Sequence, residues 1–337
     1  MRHRLAANAA KARKPILPRS WADPAGQDKR ERAAMADFKR RIAACGKAYQ
    51  DLLARIDFES YTVNRTELKP VYAPGTRRVV SMQRLAVNAI RYEFRTDPSV
   101  FLSLTQATQR LVDAIMLEGG ESSLWFSLQY VLPAYQQGTA MEWANLGAQS
   151  VEYRRARGEL WQLLQTDVYQ RRIALIRGRE FELMQGLSAG IKQQMSQVLT
   201  QGLVTGLGPR EIGRRLSAQV GIEQRRANRI ARTEIGQAMR TARMQEDVQA
   251  MQDFGFRTMQ LHLSALSPTT RLTHAARHGT LHTVEEQEAW WSEDGNAINC
   301  KCSTIAVLVD KEGKPLSPGI VAAARKQRDL YEAKMAA

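Results

Sequence analysis

The chain has 337 residues, 44% hydrophobic and 25% charged, which suits one or two folded domains and excludes wholesale disorder and a polytopic membrane protein. Its 49 Lys and Arg against 34 Asp and Glu leave a net charge of +15, which favours a polyanionic partner such as nucleic acid or an acidic protein surface. Three cysteines cannot staple a secreted fold, and no stretch reaches the roughly 20 apolar residues of a bilayer span, so a soluble chain in a reducing compartment without a membrane partner is expected.

Two short stretches hold most of the charge: residues 1–41 carry +8 and residues 207–243 carry +6, whereas residues 244–337 carry −2. The first twenty residues contain six basic groups, among them Lys11, Arg13 and Lys14, and no acid. Pro15, Pro18 and Pro24 prevent a long early helix, so residues 1–26 read as a flexible basic arm that binds polyanions without reading base edges. Its lack of an apolar run excludes a secretory signal.

Residues 27–168 read as a helical region. From Gln27 to about Ile56 apolar residues recur at helical spacing, with Cys45 on the apolar stripe and hence a buried structural thiol. The stretch from Phe58 to Arg78 mixes β-formers with Pro70, Pro74 and Gly75 and predicts a loop or small hairpin. A helical pattern resumes at Val79 and runs to about Gly190, with breaks at Asp97-Pro98, Glu118-Gly119-Gly120, Pro133 and Gly138-Thr139; its aromatic cluster (Trp125, Phe126, Tyr130, Tyr135, Trp143) is expected to be core.

The segment 169–252 predicts a helical centre: a helix through Ile173 to Leu187, another from Ile191 to Gly202 or Gly206, a short one opened by Gly208-Pro209, and, after Gly221, a long one over 223–252. On that last helix Arg225, Arg229, Arg232, Arg240 and Arg243 fall within an arc of about 80°, a guanidinium row for DNA phosphates or an acidic partner, or else a solvated face. Glu234 lies off the row and is expected to pair inside the module. The string Gly186-Leu187-Ser188-Ala189-Gly190 matches a hydrolase elbow, but helical patterns on both sides predict a helix junction instead.

Residues 253–312 change character. Short β-type pieces (257–263, 302–309) bracket a helix near 269–277 and a loop containing Trp290 and Trp291, and a C-terminal helix follows within 313–337. The fold class is therefore mainly α, with a helical N-terminal half, a long-helix centre and a small α+β C-terminal module. Six of the eight His and Cys residues lie between 262 and 302. His274 and His278 share a helix face, Cys300 and Cys302 share a strand face, and the four together predict either a structural Cys2His2 zinc site or a polar-thiol cluster; zinc is the one cofactor suggested. The nearby acids Glu285, Glu286, Glu288 and Asp294 leave a metal-supported nuclease or DNA-modifying enzyme as an alternative. Nothing ranks a base or a nucleophile, and no catalytic residue is assigned.

The run Arg229-Ile-Ala-Arg232-Thr233-Glu234, then Arg271-x-x-His274-x-x-x-His278-Gly279, then Asn299-Cys300-Lys301-Cys302 resembles, in order and spacing, the Mu F-like domain of tailed-phage minor head proteins. The resemblance spans about 170–310, so a Mu F-like domain is placed at 169–312. Arg232, Thr233, Glu234, Arg271, Gly279 and Asn299 are its structural motif. Here Ser267 replaces the family's acid, Ile298 its proline and His262 a common Trp. The resemblance implies a non-enzymatic virion component of the head interior, in the host cytoplasm during assembly. It further implies association with the portal protein, the major capsid or scaffolding protein, and double-stranded DNA without sequence specificity. Residues 27–168 would supply portal or capsid contacts. Similar domains also occur fused to toxins, which gives a toxin-type effector as a further alternative, with only about 27 residues after Asp310 to supply a catalytic domain.

Overall fold

The computed structural model describes residues 14–336. Its helices are α1 (Asp28–Leu53), α2 (Pro98–Met116), α3 (Gly120–Ser123), α4 (Leu132–Gln149, entered through a π-turn at Ser127–Val131), α5 (Val151–Arg157), α6 (Leu160–Leu164), α7 (Asp167–Val204), α8 (Pro209–Phe254), α9 (Leu272–Arg277), α10 (Val284–Ser292) and α11 (Pro318–Ala336). Its strands are β1 (Phe58–Tyr72), β2 (Val79–Phe94), β3 (Thr258–Leu263), β4 (Leu281–His282) and β5 (Ser303–Leu308). The mainly α class with a small C-terminal sheet module is thus observed. The chain packs as two compact units, one of residues up to Phe38 with Gly119–Leu183 and Arg226–Ala337, the other of Lys39–Glu118 with Met184–Arg225.

In the second unit, Ile42, Cys45, Tyr49 and Leu52 of α1 are buried together with Val112 and Met116 of α2 and Leu187, Ile191, Met195 and Leu199 of α7. Cys45 is fully buried as expected, and burial pushes its thiol up to about 12. The helical pattern read from Val79 is corrected here. Residues 79–94 form β2, paired antiparallel with β1 from Phe58↔Phe94 to Tyr72↔Val79. Val79, Val80, Met82 and Ile90 mimic helical spacing, but β-branched residues and a fifteen-residue partner strand satisfy this backbone better as a ladder. The base of the ribbon is fastened by Tyr92 N–H to Gly206 O at 3.1 Å and by Phe94 against Phe101.

Four of the expected helix breaks are also absent. Gly190 lies inside the 38-residue α7, and Gly221 lies inside the 46-residue α8. An interior glycine costs only about 1 kcal/mol, less than two more helix ends with unsatisfied backbone groups would. Ser188 is consequently a buried helical residue that donates to Asp113 Oδ1 at 2.7 Å, not a nucleophile on a strand–helix turn. Pro133 and Gly138 likewise sit within the α4 turns rather than between helices, and Gly138 faces Met239 O, where an added Cβ would come within 2.4 Å.

In the first unit, Phe38, Trp125 and Phe126 stack with Tyr130, and Tyr135 is buried, as the aromatic cluster predicts. The sheet has strand order β4-β3-β5, all antiparallel. Leu261, Leu263, Ile305 and Val307 bury one face against Ile320, Val321 and Ala324 of α11. The other face carries Gln260, His262, Ser264, Thr304 and Ala306, all buried. The outer edge of β5 would leave open backbone groups, and α4 closes it: Asn145 and Gln149 amides donate to Ala306 O at 2.8 and 2.9 Å, Ala306 N–H donates to Glu142 at 3.1 Å, and Leu308 N–H to Gln149 at 3.0 Å.

The reading of residues 1–26 as one flexible arm is corrected in its second part. Leu17 and Trp21 pack against the α11 face of the sheet module, Ile16 N–H donates to Asn145 at 2.9 Å, and Pro15 and Pro24 are buried. Apolar side chains, absent from the charge count, hold this segment down. Lys11 and Arg13 lie outside the described residues; Lys14 is exposed.

Candidate functional site

The site is built from three segments of the first unit that the sequence separates by tens of residues. Arg271, just ahead of α9, clamps the loop before the cysteines by donating to Gly295 O, Asn296 O and Ile298 O at 3.1, 2.8 and 3.2 Å. The next residue, Asn299, adopts a left-handed φ of 55°, a conformation Asn tolerates better than most side chains. Its N–H donates to Thr233 Oγ1 at 2.9 Å and its Oδ1 accepts from Arg232 at 3.3 Å, which fixes the loop on α8. Glu234 pairs inside the unit, 2.6 Å from Arg179. Arg179 also holds Glu180, whose carboxyl is pushed up by burial and by Glu234.

These anchors aim Cys300 and Cys302 at His274. His274 Nδ1 lies 3.3 Å from Cys302 Sγ and 3.5 Å from Cys300 Sγ, and the three donor atoms lie within 4.8 Å of one another. All three side chains are buried. The cluster could hold a metal ion. Its walls are Trp290, in edge contact with the His274 ring at 4.7 Å, and Asn296, whose Oδ1 lies 3.3 Å from His274 Nε2. Ser264 completes them, with its hydroxyl 3.6 Å from Cys302 Sγ. Cys300 is the acidified member of the thiol pair: the hydrogen bond with Cys302, then His274 and the Arg240 guanidinium, hold it well below the ordinary thiol range, while Cys300 and burial push Cys302 up.

His278 does not join the cluster, which corrects the expected Cys2His2 set. Its Nδ1 accepts from Ser264 N–H at 3.0 Å, its ring meets Trp21 edge-on at 5.3 Å, and burial pushes it down to about 4. The four-residue spacing suggested a shared face, but α9 ends at Arg277 and His278 already has extended backbone. Gly279 follows with φ 78°, and α11 approaches so closely that an added Cβ would lie 2.8 Å from Arg325 N. His262 lies on the opposite face of the sheet from α11, edge-on to Trp290 at 5.1 Å, bonded to Gln287 at 3.1 Å and pushed down to about 3 by burial.

The arginine row does not form one surface. Arg225 and Arg229 are exposed, and Arg232 is half-buried against Asn299. Arg243 is buried and pairs with buried Glu142 at 2.7 Å. Arg240, also buried, lies 4.7 Å over the Trp291 ring and donates to Cys300 O at 3.1 Å. Their arc is charged because it meets an internal carboxylate, a carbonyl and an indole. The acids weighed for a nuclease do not converge either: Glu285, Glu286, Glu288 and Asp294 are exposed while the cluster is buried. Glu286 instead caps α10 by accepting from Thr283 N–H at 2.9 Å. The residues around Trp290 and Trp291, expected as a loop, form this helix, and the Thr283-x-x-Glu286 capping box is its sequence signal. Ser264 could have been found by alternation from His262; Asn296 left no sequence signal.

Residues 193–305, about a third of the chain, match the family described as Phage Mu protein F like protein. The chain carries a Mu F-like segment. The matched stretch runs from α7 to β5 and contains all three motif runs, the cluster and the two buried arginines. Comparison with curated proteins and with solved structures yields no match. At Ser267, hydroxyl contacts to Thr269 and Thr270 and a Ser267 O bond from Tyr331 build the turn into Arg271. Among the described residues, no helix is long and apolar enough to cross a membrane.

Proposed function

We propose that the protein is a minor head protein of a tailed phage, a structural component that associates with the portal and the packaged DNA during head assembly. The observation that carries this reading is the Mu F-like match over residues 193–305, whose three motifs interlock through Arg271, Asn299 and Thr233. These residues brace a fold, and the cluster beside them is closed off from the exposed acids, which supports a role without turnover. The DNA-facing groups are Arg225, Arg229 and the basic residues Lys11, Arg13 and Lys14, which neutralise phosphates without reading sequence. Arg240 and Arg243 are excluded from that set by burial. Residues 27–168, ahead of the matched segment, supply contacts to portal, major capsid or scaffolding protein. The protein resides in the head interior, and in the host cytoplasm during assembly.

Mass spectrometry of purified virions tests the reading directly: the chain should be present at few copies per particle, and its absence from virions overturns the proposal. Fluorescence anisotropy with two unrelated duplexes tests the DNA part. Affinity should be equal for both and fall with salt, and the Arg225→Glu/Arg229→Glu variant should flatten that slope by up to about 0.9 per lost phosphate contact. Sequence-dependent binding, or turnover of either duplex, would favour the DNA-modifying enzyme.

A further inference from the structure

We propose that His274 Nδ1, Cys300 Sγ and Cys302 Sγ hold a zinc ion that ties α9 to the start of β5, and that His278 is not a ligand. Ligands around tetrahedral zinc, with Zn–N of about 2.0–2.1 Å and Zn–S of about 2.3 Å, lie roughly 3.6 Å apart. The observed Nδ1 to Sγ separations of 3.3 and 3.5 Å match that spacing. One imidazole nitrogen facing two sulfurs at once has a single lone pair for them, so hydrogen bonding serves at most one contact, whereas a cation between the three serves all.

The surroundings fit the ion. The opposite nitrogen, Nε2, lies 3.3 Å from Asn296 Oδ1, and the Asn296 amide is itself held by donating to Trp290 O at 2.9 Å. A donor bond from Nε2–H fixes the tautomer that leaves Nδ1 free to ligate. Cys302 N–H points at Cys300 Sγ at 3.4 Å, the donor a ligating thiolate accepts. Ser264 Oγ, 3.6 Å from Cys302 Sγ, offers the oxygen for a fourth position, directly or through a water. Two thiolates and a neutral imidazole cancel the charge of Zn2+, which suits a site whose three side chains are each at most 3% exposed. His278 stands outside this group of converging donors, with its Nδ1 accepting from Ser264 N–H and its ring edge-on to Trp21. The site rests on these distances and stands independently of the head-protein reading.

The test uses the full chain. Purified protein should carry one zinc per chain after gel filtration in metal-free buffer, and chelator should lower its melting temperature by roughly 5 °C or more. Replacement by Co2+ should give a thiolate-to-cobalt charge-transfer band of two sulfur ligands. Cys302→Ser and His274→Asn should lose the metal, whereas His278→Gln should retain it. A folded wild-type chain that takes up neither zinc nor cobalt, or a cobalt spectrum without thiolate bands, overturns the proposal even where a variant fails to fold. Loss of metal from folded His278→Gln as complete as from Cys302→Ser overturns the ligand set.

Discussion

Replacing Arg243 tests whether the basic arc of α8 turns inward. Arg243 Nε donates to Glu142 Oε2 at 2.7 Å, with side-chain exposures of 2% and 0%. The other Glu142 oxygen accepts from Ala306 N–H at 3.1 Å and from the Asn145 amide at 2.5 Å, so the carboxylate also closes the edge of β5. Arg243→Ala strands this carboxylate with neutral donors only, and breaking one partner of a buried pair costs about 3–5 kcal/mol. That is a large share of the roughly 5–15 kcal/mol that holds a typical domain folded. The double variant Arg243→Met/Glu142→Gln removes both charges and keeps an amide oxygen for Ala306 N–H, so it should cost much less, about 0.5–1.5 kcal/mol for one weakened hydrogen bond. Urea denaturation followed by far-UV circular dichroism at fixed pH measures both, and the difference is the coupling between the two residues. A single variant that loses under about 1 kcal/mol, together with weakened DNA binding, would refute the inward arrangement and restore Arg243 to a surface row.

Asp247 is buried, accepts from Gln260 at 2.6 Å and Thr258 at 2.9 Å, and is pushed up to about 7 by burial and then by Glu142. Its folded pKa exceeds the unfolded value near 3.9, so the native state binds more protons between about pH 4 and 7, and stability falls as pH rises through that window. Asp247→Asn should flatten this slope and stabilise the protein at pH 8 relative to wild type; identical pH profiles in thermal melts would count against it. Gly279→Ala should lower stability by about 2 kcal/mol or more, because the Cβ meets Arg325 N at a positive φ; an unchanged melting temperature would show that α11 does not approach this closely. Cys45, with its thiol pushed up to about 12 in a fully buried position, should resist alkylation in the native protein and react only on unfolding, as read by mass spectrometry at neutral pH.

Local signals were sufficient where one element decides its own shape. The apolar stripe from Ala34 to Leu53 sets α1, Asp97-Pro98 caps and opens α2, and short β-type runs mark β3 and β5. Pattern also placed Cys45 in the core, Glu234 in an internal pair, and His274 with Cys300 and Cys302 in one cluster. Other assignments depended on a partner that the local pattern does not name. Residues 79–94 carry helical spacing, and only the opposing β1 makes them a strand. Arg229 and Arg243 have the same side chain on the same helix, but Arg243 meets Glu142, 101 residues away in sequence, and so leaves solvent. His278 was separated from His274 by the end of α9 and by the approach of α11 at Gly279. Periodicity fixes which residues share a face, because it follows from backbone geometry alone. What that face meets is decided when distant segments pack, since burial of a charge is tolerated only where another segment brings its counter-charge.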